Sequence, residues 1–192
     1  MGKDMFEILW HGRGGQGAKT ASTMVAHAAL DEGRYSQGFP EYGPERMGAP
    51  IRGYTRISPK PICVHCGITN PDAVVVLDSS LLEATDVTQG AGENTLFILN
   101  TKLSPAEVRK QLGLKTARVY TVDATGIAIQ EIGRPIPNVP VIGALVKATG
   151  LVSLESCKRD IKKKFGGKFG SKIVEGNIRS LERAYNEVRS ES

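Results

Sequence analysis

Six residues near the start of the chain, Gly12-Arg13-Gly14-Gly15-Gln16-Gly17, restrict its possible folds more than any other feature. They match the pattern G-x-G-x-x-G. A short apolar segment, residues 6–11, precedes them, and an alanine-rich segment with helical spacing, residues 18–30, follows them. A strand, a tight glycine turn and a helix, in this order, form the context in which the motif binds a nucleotide phosphate. The chain is therefore expected to begin with a β-strand joined to an α-helix.

The chemistry of this loop favours a phosphate ligand. Glycines permit positive φ angles and a close approach of backbone N–H groups, and a helix N-terminus adds partial positive charge. Arg13 in the loop and Lys19 in the first helical turn can neutralise phosphate oxygens. The alternative is that the glycines only let the helix pack closely on the sheet.

The rest of the sequence alternates between β-branched runs and helical patterns. Strands are predicted at residues 35–39, 73–77, 95–99 and 118–122, and helices at residues 81–88, 105–112, 126–132, 141–149, 154–165 and 171–189. Continuous apolar runs such as Ala73-Val74-Val75-Val76-Leu77 are typical of parallel strands that are buried on both faces. The predicted fold class is α/β, with a doubly wound, mainly parallel sheet and C-terminal helices.

Local signals add detail to this fold. Residues 51–58 and 62–68 look like two β segments joined by a proline-containing turn, which predicts a β-hairpin added to the sheet. Ser80 followed by Glu83 predicts a capping box at the start of one helix. Ser104-Pro105-Ala106-Glu107 predicts a second one, with proline in the first helical position.

Length and charge indicate one globular domain, residues 1–192, whose C-terminal part, 151–192, is basic and helical. Ten Lys or Arg against six Asp or Glu place four of the five net positive charges in that part. It is either a solvated helix face or a docking surface for acidic protein or nucleic acid. Aromatic residues make up only 6%, which argues against base stacking, and no nucleic-acid partner is expected.

Cysteine usage and hydropathy bear on location and metals. No apolar run approaches roughly 18 residues and the N-terminus lacks a signal-peptide pattern, so a cytoplasmic chain without a membrane segment is expected. Cys63, His65, Cys66 and the remote Cys157 do not supply four clustered metal ligands, so no metal site is predicted. The first two thiols are expected to be at least half-buried on a strand. No catalytic triad or carboxylate pair is recognisable, and no catalytic residue is predicted.

Polar residues at predicted strand ends are candidates for ligand contacts. Asp78, Asn100 and Asp123 follow strands, where ligands of α/β proteins gather, and Asn138 follows a later helix. Each is also a common turn or cap residue. The segment of residues 40–50, rich in Gly, Pro and charge, is either a ligand or subunit contact or an ordinary surface loop.

Two segments together resemble a known family. They are Trp10-His11-Gly12-Arg13-Gly14-Gly15-Gln16-Gly17-Ala18-Lys19 and Phe39-Pro40-Glu41-Tyr42-Gly43-Pro44-Glu45-Arg46-Met47-Gly48-Ala49-Pro50. With Asn70-Pro71-Asp72, Val122-Asp123-Ala124-Thr125 and Ile136-Pro137-Asn138-Val139-Pro140, the chain resembles, over nearly its whole length, the gamma subunit of the 2-oxoacid:ferredoxin oxidoreductases. The pyruvate enzyme of that family is the most similar.

The resemblance implies a role within a multi-subunit oxidoreductase that converts a 2-oxoacid to acyl-CoA. In that family the alpha and beta subunits bind thiamine diphosphate with Mg²⁺. The beta and delta subunits, or one fused chain, carry 4Fe-4S clusters that pass electrons to ferredoxin. The gamma subunit helps to bind coenzyme A and is not catalytic alone. Pyruvate is the implied substrate from overall similarity, while aromatic 2-oxoacids and 2-oxoglutarate stay open.

The resemblance also implies a coenzyme A site on this chain. The loop from Arg13 to Gly17 matches the family's coenzyme A phosphate loop, and Gly12 and Lys19 on either side of it are expected to belong to the same site. Arg46 falls where fused relatives have a basic contact, and Asn100 and Asn138 match asparagines that contact coenzyme A. Two alternatives stay open. One is a nicotinamide-dependent dehydrogenase with Glu41 on the ribose, and the other is a non-catalytic scaffold subunit of a different complex.

Overall fold

The structure is a computed structural model that describes residues 4–41, 48–167 and 169–191. The strands of the described chain are β1 (Phe6–Arg13), β2 (Tyr35–Pro40), β3 (Pro50–Ser58), β4 (Ala73–Val76), β5 (Leu96–Asn100), β6 (Arg118–Val122) and β7 (Arg189–Ser190). The helices are α1 (Ala18–Asp31), α2 (Leu81–Ala84), α3 (Pro105–Leu112), α4 (Ala124–Ile132), α5 (Asn138–Thr149), α6 (Leu154–Gly166) and α7 (Ser171–Glu187). None of these described helices is both long and apolar enough to cross a membrane.

The strands form one sheet in the order β2-β3-β1-β4-β5-β6-β7, with the parallel strands β1, β4, β5 and β6 at its centre. Trp10, Val75 and Ile98 point to one face, where they share an apolar core with α1, α4, α5, α6 and α7. Val76 and Leu99 point to the other face and pack with α2 and α3. Helices on both faces explain why these strands are apolar throughout. The predicted doubly wound, mainly parallel α/β fold is confirmed.

The antiparallel part of the sheet differs from the predicted hairpin. β3 pairs with β1 along one edge and with β2 along the other, both antiparallel. Because both edges of β3 are used, residues 62–68 have no free edge beside them, and they form no strand. Ile68 instead packs against Leu9 and Tyr54 below the sheet. The strand predicted at residues 35–39 is confirmed as β2, while the one predicted at 62–68 is wrong.

One of the two predicted capping boxes is present. The Ser104 hydroxyl accepts from the N–H of Glu107 at 3.3 Å, and the N–H of Ser104 donates to the Glu107 carboxylate at 2.7 Å. At the other position, Ser80 has helical backbone angles and its side chain caps nothing. Its hydroxyl accepts hydrogen bonds from Arg13 instead, and α2 is only four residues long.

The C-terminal helices pack closely against the sheet and each other. A Cβ added to Gly143 in α5 would lie 2.2 Å from the Leu181 carbonyl of α7, so only glycine fits at this crossing. The last predicted helix ends at Glu187, two residues early. The next residues pair with β6 as β7, where Arg189 donates to the carbonyls of Lys102 and Leu103 at 2.9 Å each.

Two lysines of α6, Lys158 and Lys163, form ion pairs within the described chain. Lys158 contacts Glu155 at 2.6 Å and Glu182 at 2.7 Å, and Lys163 contacts Asp31 at 2.9 Å. These partners lie on α6 itself, on α7 and on α1. For these two lysines, the pairing favours a solvated helix face over a docking surface for acidic partners.

Candidate functional site

The glycine loop joins β1 to α1 through one tight turn. The N–H of Gln16 donates to the Arg13 carbonyl at 3.1 Å, which closes a four-residue turn. Gly15, its third residue, has a φ of +95°, as a type II turn requires. Gly17 follows with a φ of +85° and is the N-cap of α1. The backbone conformation at Gly15 and Gly17 is thus by itself a reason for glycine at both positions.

The N-terminus of α1 presents open backbone donors. The first bond of the helix runs from the N–H of Ala21 to the Gly17 carbonyl at 2.9 Å. The N–H groups of Ala18, Lys19 and Thr20 lie before this bond and have no partner inside the helix. Within the described chain no side chain caps this helix. Together with the helix dipole, these three donors form a position that favours an anion.

Other N–H groups of the motif are already engaged. Gly14 donates to the carbonyl of Ala49 at 3.0 Å, and the N–H of Arg13 donates to Oε1 of Gln16 at 2.8 Å. The N–H of Gln16 closes the turn. A phosphate could reach these three donors only by breaking existing bonds. The donors that remain for an anion therefore lie toward the helical end of the motif.

Asn138 directs its amide at that same place. It is the first residue of α5 and is 7% exposed. Its Oδ1 accepts from the N–H of Val139 at 2.8 Å. Its Nδ2 faces the loop so closely that a Cβ on Gly17 would lie 2.5 Å from it. In the part of the chain that the structure describes, Nδ2 has no hydrogen-bond acceptor, so it is a further donor for an anion at α1.

A cavity of about 300 Å³ opens beside these donors. Its polar side is formed by Gly15, Gly17, Thr20, Asn138 and Asn177. Its apolar wall includes the ring pair Phe165 and Phe169, whose centroids are 5.8 Å apart. The exposed Arg134 also lines this cavity and supplies a cation. Sequence reasoning missed Arg134, although it stands directly before the Pro-Ile-Pro-Asn segment that leads into α5.

A larger cleft of about 970 Å³ lies on the other side of the loop, at the carboxyl ends of β4, β5 and β6. Gln16, Asn100, Lys102 and Asp123 contribute to its lining. This is the edge of a parallel sheet where ligands of α/β proteins bind. The predicted site residues therefore separate into two groups: Gln16 and Asn100 face the large cleft, and Gly15, Gly17 and Asn138 face the small cavity.

Asn100 is engaged in holding the fold. Its Nδ2 donates to the Leu77 carbonyl and to the Thr125 hydroxyl, both at 2.8 Å, and its Oδ1 accepts from the N–H of Thr125 at 3.1 Å. Both amide protons are thus used to tie the end of β4 to the start of α4. A ligand in the large cleft can contact this side chain only through the oxygen.

Arg13 and Asp78 belong to a network of charged and polar groups at the glycine loop. The guanidinium of Arg13 donates to the Ser80 hydroxyl and to the Gly48 carbonyl at 3.0 Å, and lies 3.5 Å from the Asp78 carboxylate. Burial acts to raise the pKa of Asp78, but hydrogen bonds from Ser80 and Gln16 outweigh it, so the pKa is lowered. The charge of Arg13 is therefore partly balanced within the chain. Lys19, in contrast, is exposed.

The predicted contact Arg46 lies outside the described residues. Glu41, at the edge of that gap, accepts from the Tyr54 hydroxyl at 3.0 Å and lies 4.0 Å from the Arg52 guanidinium. In a dinucleotide-binding fold, the ribose-binding acid ends a parallel strand beside the first one. Here β2 runs in the same direction as β1 but is separated from it by the antiparallel strand β3. This arrangement disfavours Glu41 as a ribose contact.

The remaining candidates differ from expectation at one point. Cys63 and Cys66 are free and exposed, because residues 62–68 are irregular; the prediction that these thiols are at least half-buried on a strand is wrong. Cys157 is buried, which raises its pKa to about 12.

His27 lies 3.3 Å from the buried Asp160, consistent with a structural role. In the described ranges no group of three or more metal-ligating side chains is close enough to hold an ion.

Comparison with known proteins places this chain in a family. Residues 7–187 match the family model described as pyruvate ferredoxin/flavodoxin oxidoreductase. Pyruvate synthase subunit PorC of Thermotoga maritima is 49% identical over 187 residues, which covers 97% of this chain and 96% of that protein. The common gamma subunit of the pyruvate/ketoisovalerate oxidoreductases of Thermococcus kodakarensis is 49% identical over 184 residues, covering 96% and 97%.

Solved structures agree with this assignment. The crystal structure of pyruvate oxidoreductase subunit PorC from Thermotoga maritima matches with a TM-score of 0.87 and 46% identity, over 99% of this chain and 100% of that one. The 2-oxoglutarate:ferredoxin oxidoreductase of Magnetococcus marinus shares the fold, with a TM-score of 0.79 at 18% identity, over 96% of this chain and 31% of that chain. The chain therefore belongs to the pyruvate ferredoxin/flavodoxin oxidoreductase family, as a gamma-type subunit.

Proposed function

We propose that this chain binds the phosphate-bearing end of coenzyme A within a 2-oxoacid:ferredoxin oxidoreductase whose substrate is pyruvate. Its partners are the alpha, beta and delta subunits, which hold thiamine diphosphate, Mg²⁺ and the 4Fe-4S clusters, and ferredoxin accepts the electrons. The relatives named for pyruvate synthase support pyruvate. The Thermococcus relative is named as common to two oxoacid enzymes, which suggests that substrate choice lies on other subunits.

One observation carries the coenzyme A assignment. The open N–H groups at the start of α1 and the free Nδ2 of Asn138 converge on Gly17, and the Arg134 side chain lines the same cavity. Backbone donors, an amide and a guanidinium are the groups that proteins use to bind phosphate. Arg13 is partly balanced by Asp78, so we assign the neutralising charge to Arg134 and the exposed Lys19.

The proposed contribution to the reaction is positioning. Coenzyme A supplies the thiol that accepts the acyl group. The small cavity, at about 300 Å³, encloses only part of so long a molecule, so the chain holds one end and leaves the thiol end to extend toward neighbouring subunits. Fixing a reactant in this way lowers the entropic part of the barrier without any proton transfer by this chain.

The test is Asn138→Asp in the purified complex. The new carboxylate still accepts from the N–H of Val139, so the start of α5 is kept, while the donor Nδ2 becomes a negative oxygen facing the anion. We expect the KM for coenzyme A to rise at least about tenfold, equivalent to about 1.4 kcal/mol, with the KM for pyruvate unchanged. Asn94→Asp, an exposed residue remote from both the loop and this cavity, is the matched control.

The alternatives predict other results. A scaffold subunit of another complex would tolerate Asn138→Asp without any change in the KM for coenzyme A. A nicotinamide-dependent dehydrogenase would bind NAD in a titration of the isolated chain. Either result would contradict the proposed function.

A further inference from the structure

Gln16 is part of the glycine loop, and both polar atoms of its side chain have a hydrogen-bond partner within the chain. Its Oε1 accepts from the N–H of Arg13 at 2.8 Å, and its Nε2 donates to the carboxylate of Asp78. Its own N–H donates to the Arg13 carbonyl at 3.1 Å. Two hydrogen-bonded rings thus close the turn, one through the backbone of Gln16 and one through its side chain. Asp78 lies two residues after the end of the central strand β4, so the turn is tied to the parallel part of the sheet.

This bonding determines where the loop can bind an anion. The amide of Gln16 occupies the N–H of Arg13, which would otherwise be an anion donor on the strand side of the turn. It also holds the turn in the conformation in which Gly15 and Gly17 have positive φ angles. The open donors that follow, from Ala18 to Thr20, thereby keep their place at the start of α1, where Thr20 lines the small cavity.

The position of the side chain argues against direct contact with that anion. Gln16 lines the large cleft, whereas Gly15, Gly17 and Asn138 line the small cavity on the other side of the loop. Oε1 and Nε2 both have partners within the chain. An anion at the start of α1 therefore contacts the turn that this side chain holds in place. It does not contact the side chain itself.

We propose that Gln16 is a positioning residue for anion binding: it fixes the turn from Arg13 to Gln16 by bridging a loop N–H to Asp78. The identity of the anion in this inference rests on the proposed function. The stabilisation of the turn by Gln16 does not depend on it. Glutamine is suited to the role because it offers one acceptor and one donor at the same distance from the backbone. Glutamate has the acceptor but lacks the donor unless it is protonated.

The test uses Gln16→Ala and Gln16→Glu in the purified complex, with two readouts. The first is amide hydrogen exchange of peptides covering Gly15 to Thr20, measured without coenzyme A. The second is the KM for coenzyme A together with kcat. Gln111→Glu is the matched control, because Gln111 lines the same large cleft and the substitution adds the same charge outside the turn.

We expect faster exchange at Gly15–Thr20 and a roughly fivefold rise in the KM for coenzyme A in both variants, with kcat retained. In Gln16→Glu, the KM relative to wild type should fall as the pH is lowered from 8 toward 5.5, because protonation restores the donor to Asp78. Gln16→Ala should not recover with pH, and Gln111→Glu should resemble wild type.

The outcomes separate the two proposals. Unchanged amide exchange in Gln16→Ala overturns the positioning role, whatever happens to the KM. Faster exchange with an unchanged KM overturns the role of the fixed turn in anion binding, while the hold of Gln16 on the turn stays supported; the Asn138→Asp variant then decides whether the site binds coenzyme A. A raised KM with unchanged exchange means that Gln16 contacts the ligand directly, which also overturns the positioning role.

Discussion

His11 makes the stability of this chain depend on pH. Burial, and after it the positive charge of Arg52, lowers its pKa from 6.5 to about 4. Between these pH values the unfolded chain binds a proton that the folded chain does not. The contribution of His11 to the free energy of unfolding is therefore fully present above pH 6.5 and falls as the pH drops toward 4, by a total of about 3 kcal/mol.

The pH effect is tested with His11→Gln, which cannot titrate. The loss of unfolding free energy between pH 7.5 and pH 5 should be smaller in this variant than in wild type, as measured by urea denaturation of the isolated chain. His65→Gln, at an exposed histidine, is the control. Equal losses in wild type and His11→Gln would contradict the assignment to His11.

Two asparagines show what residue type alone could not predict. Asn100 and Asn138 are both buried, and the family resemblance implied the same role for both. Asn100 uses both amide protons to join Leu77 to Thr125, whereas Asn138 keeps its amide nitrogen directed at Gly17. The difference depends on partners that are distant in the sequence. The glycine loop was recognisable because its turn, strand and helix are contiguous.

At the scale of elements, α3 tests the energetic value of a cap. The Ser104 hydroxyl is the acceptor for the N–H of Glu107 in a complete capping box. Ser104→Ala should therefore lower the free energy of unfolding by about 1 kcal/mol, as measured by denaturant unfolding. Ser79→Ala, at an exposed serine that caps no helix, should change it by less than about 0.5 kcal/mol. Equal effects at the two positions would contradict the assigned role of the cap.

Strand pairing marks the limit of sequence inference at this scale. The strands and most helices were predictable because their apolar periodicity is local. The strand that pairs with the outer edge of β3 was not predictable. Residues 62–68 and β2 both have a suitable apolar pattern, and only one edge of β3 was free. The structure gives that edge to β2. The two-residue strand β7 was equally inaccessible, because its pairing with β6 depends on the path of α7.

At the scale of the whole molecule, the glycine loop separates two cavities. The large cleft lies at the carboxyl edge of the sheet, and the small cavity lies between α1, α5 and the C-terminal helices. The segment from Arg134 to Asn138 divides them, since its residues line one or the other in turn. Strand–helix alternation predicted the fold and the edge at which ligands bind. It could not predict the small cavity, which depends on how α6 and α7 pack.

Hydrogen exchange of the intact complex, with and without coenzyme A, tests the central claim most directly. If the chain binds the phosphate-bearing end of coenzyme A at the start of α1, peptides covering Gly15 to Thr20 and the start of α5 at Asn138 will exchange more slowly when coenzyme A is present. Peptides of α3, which packs on the opposite face of the sheet, will be unchanged. Saturating coenzyme A that leaves exchange at Gly15–Thr20 unaltered would contradict the account.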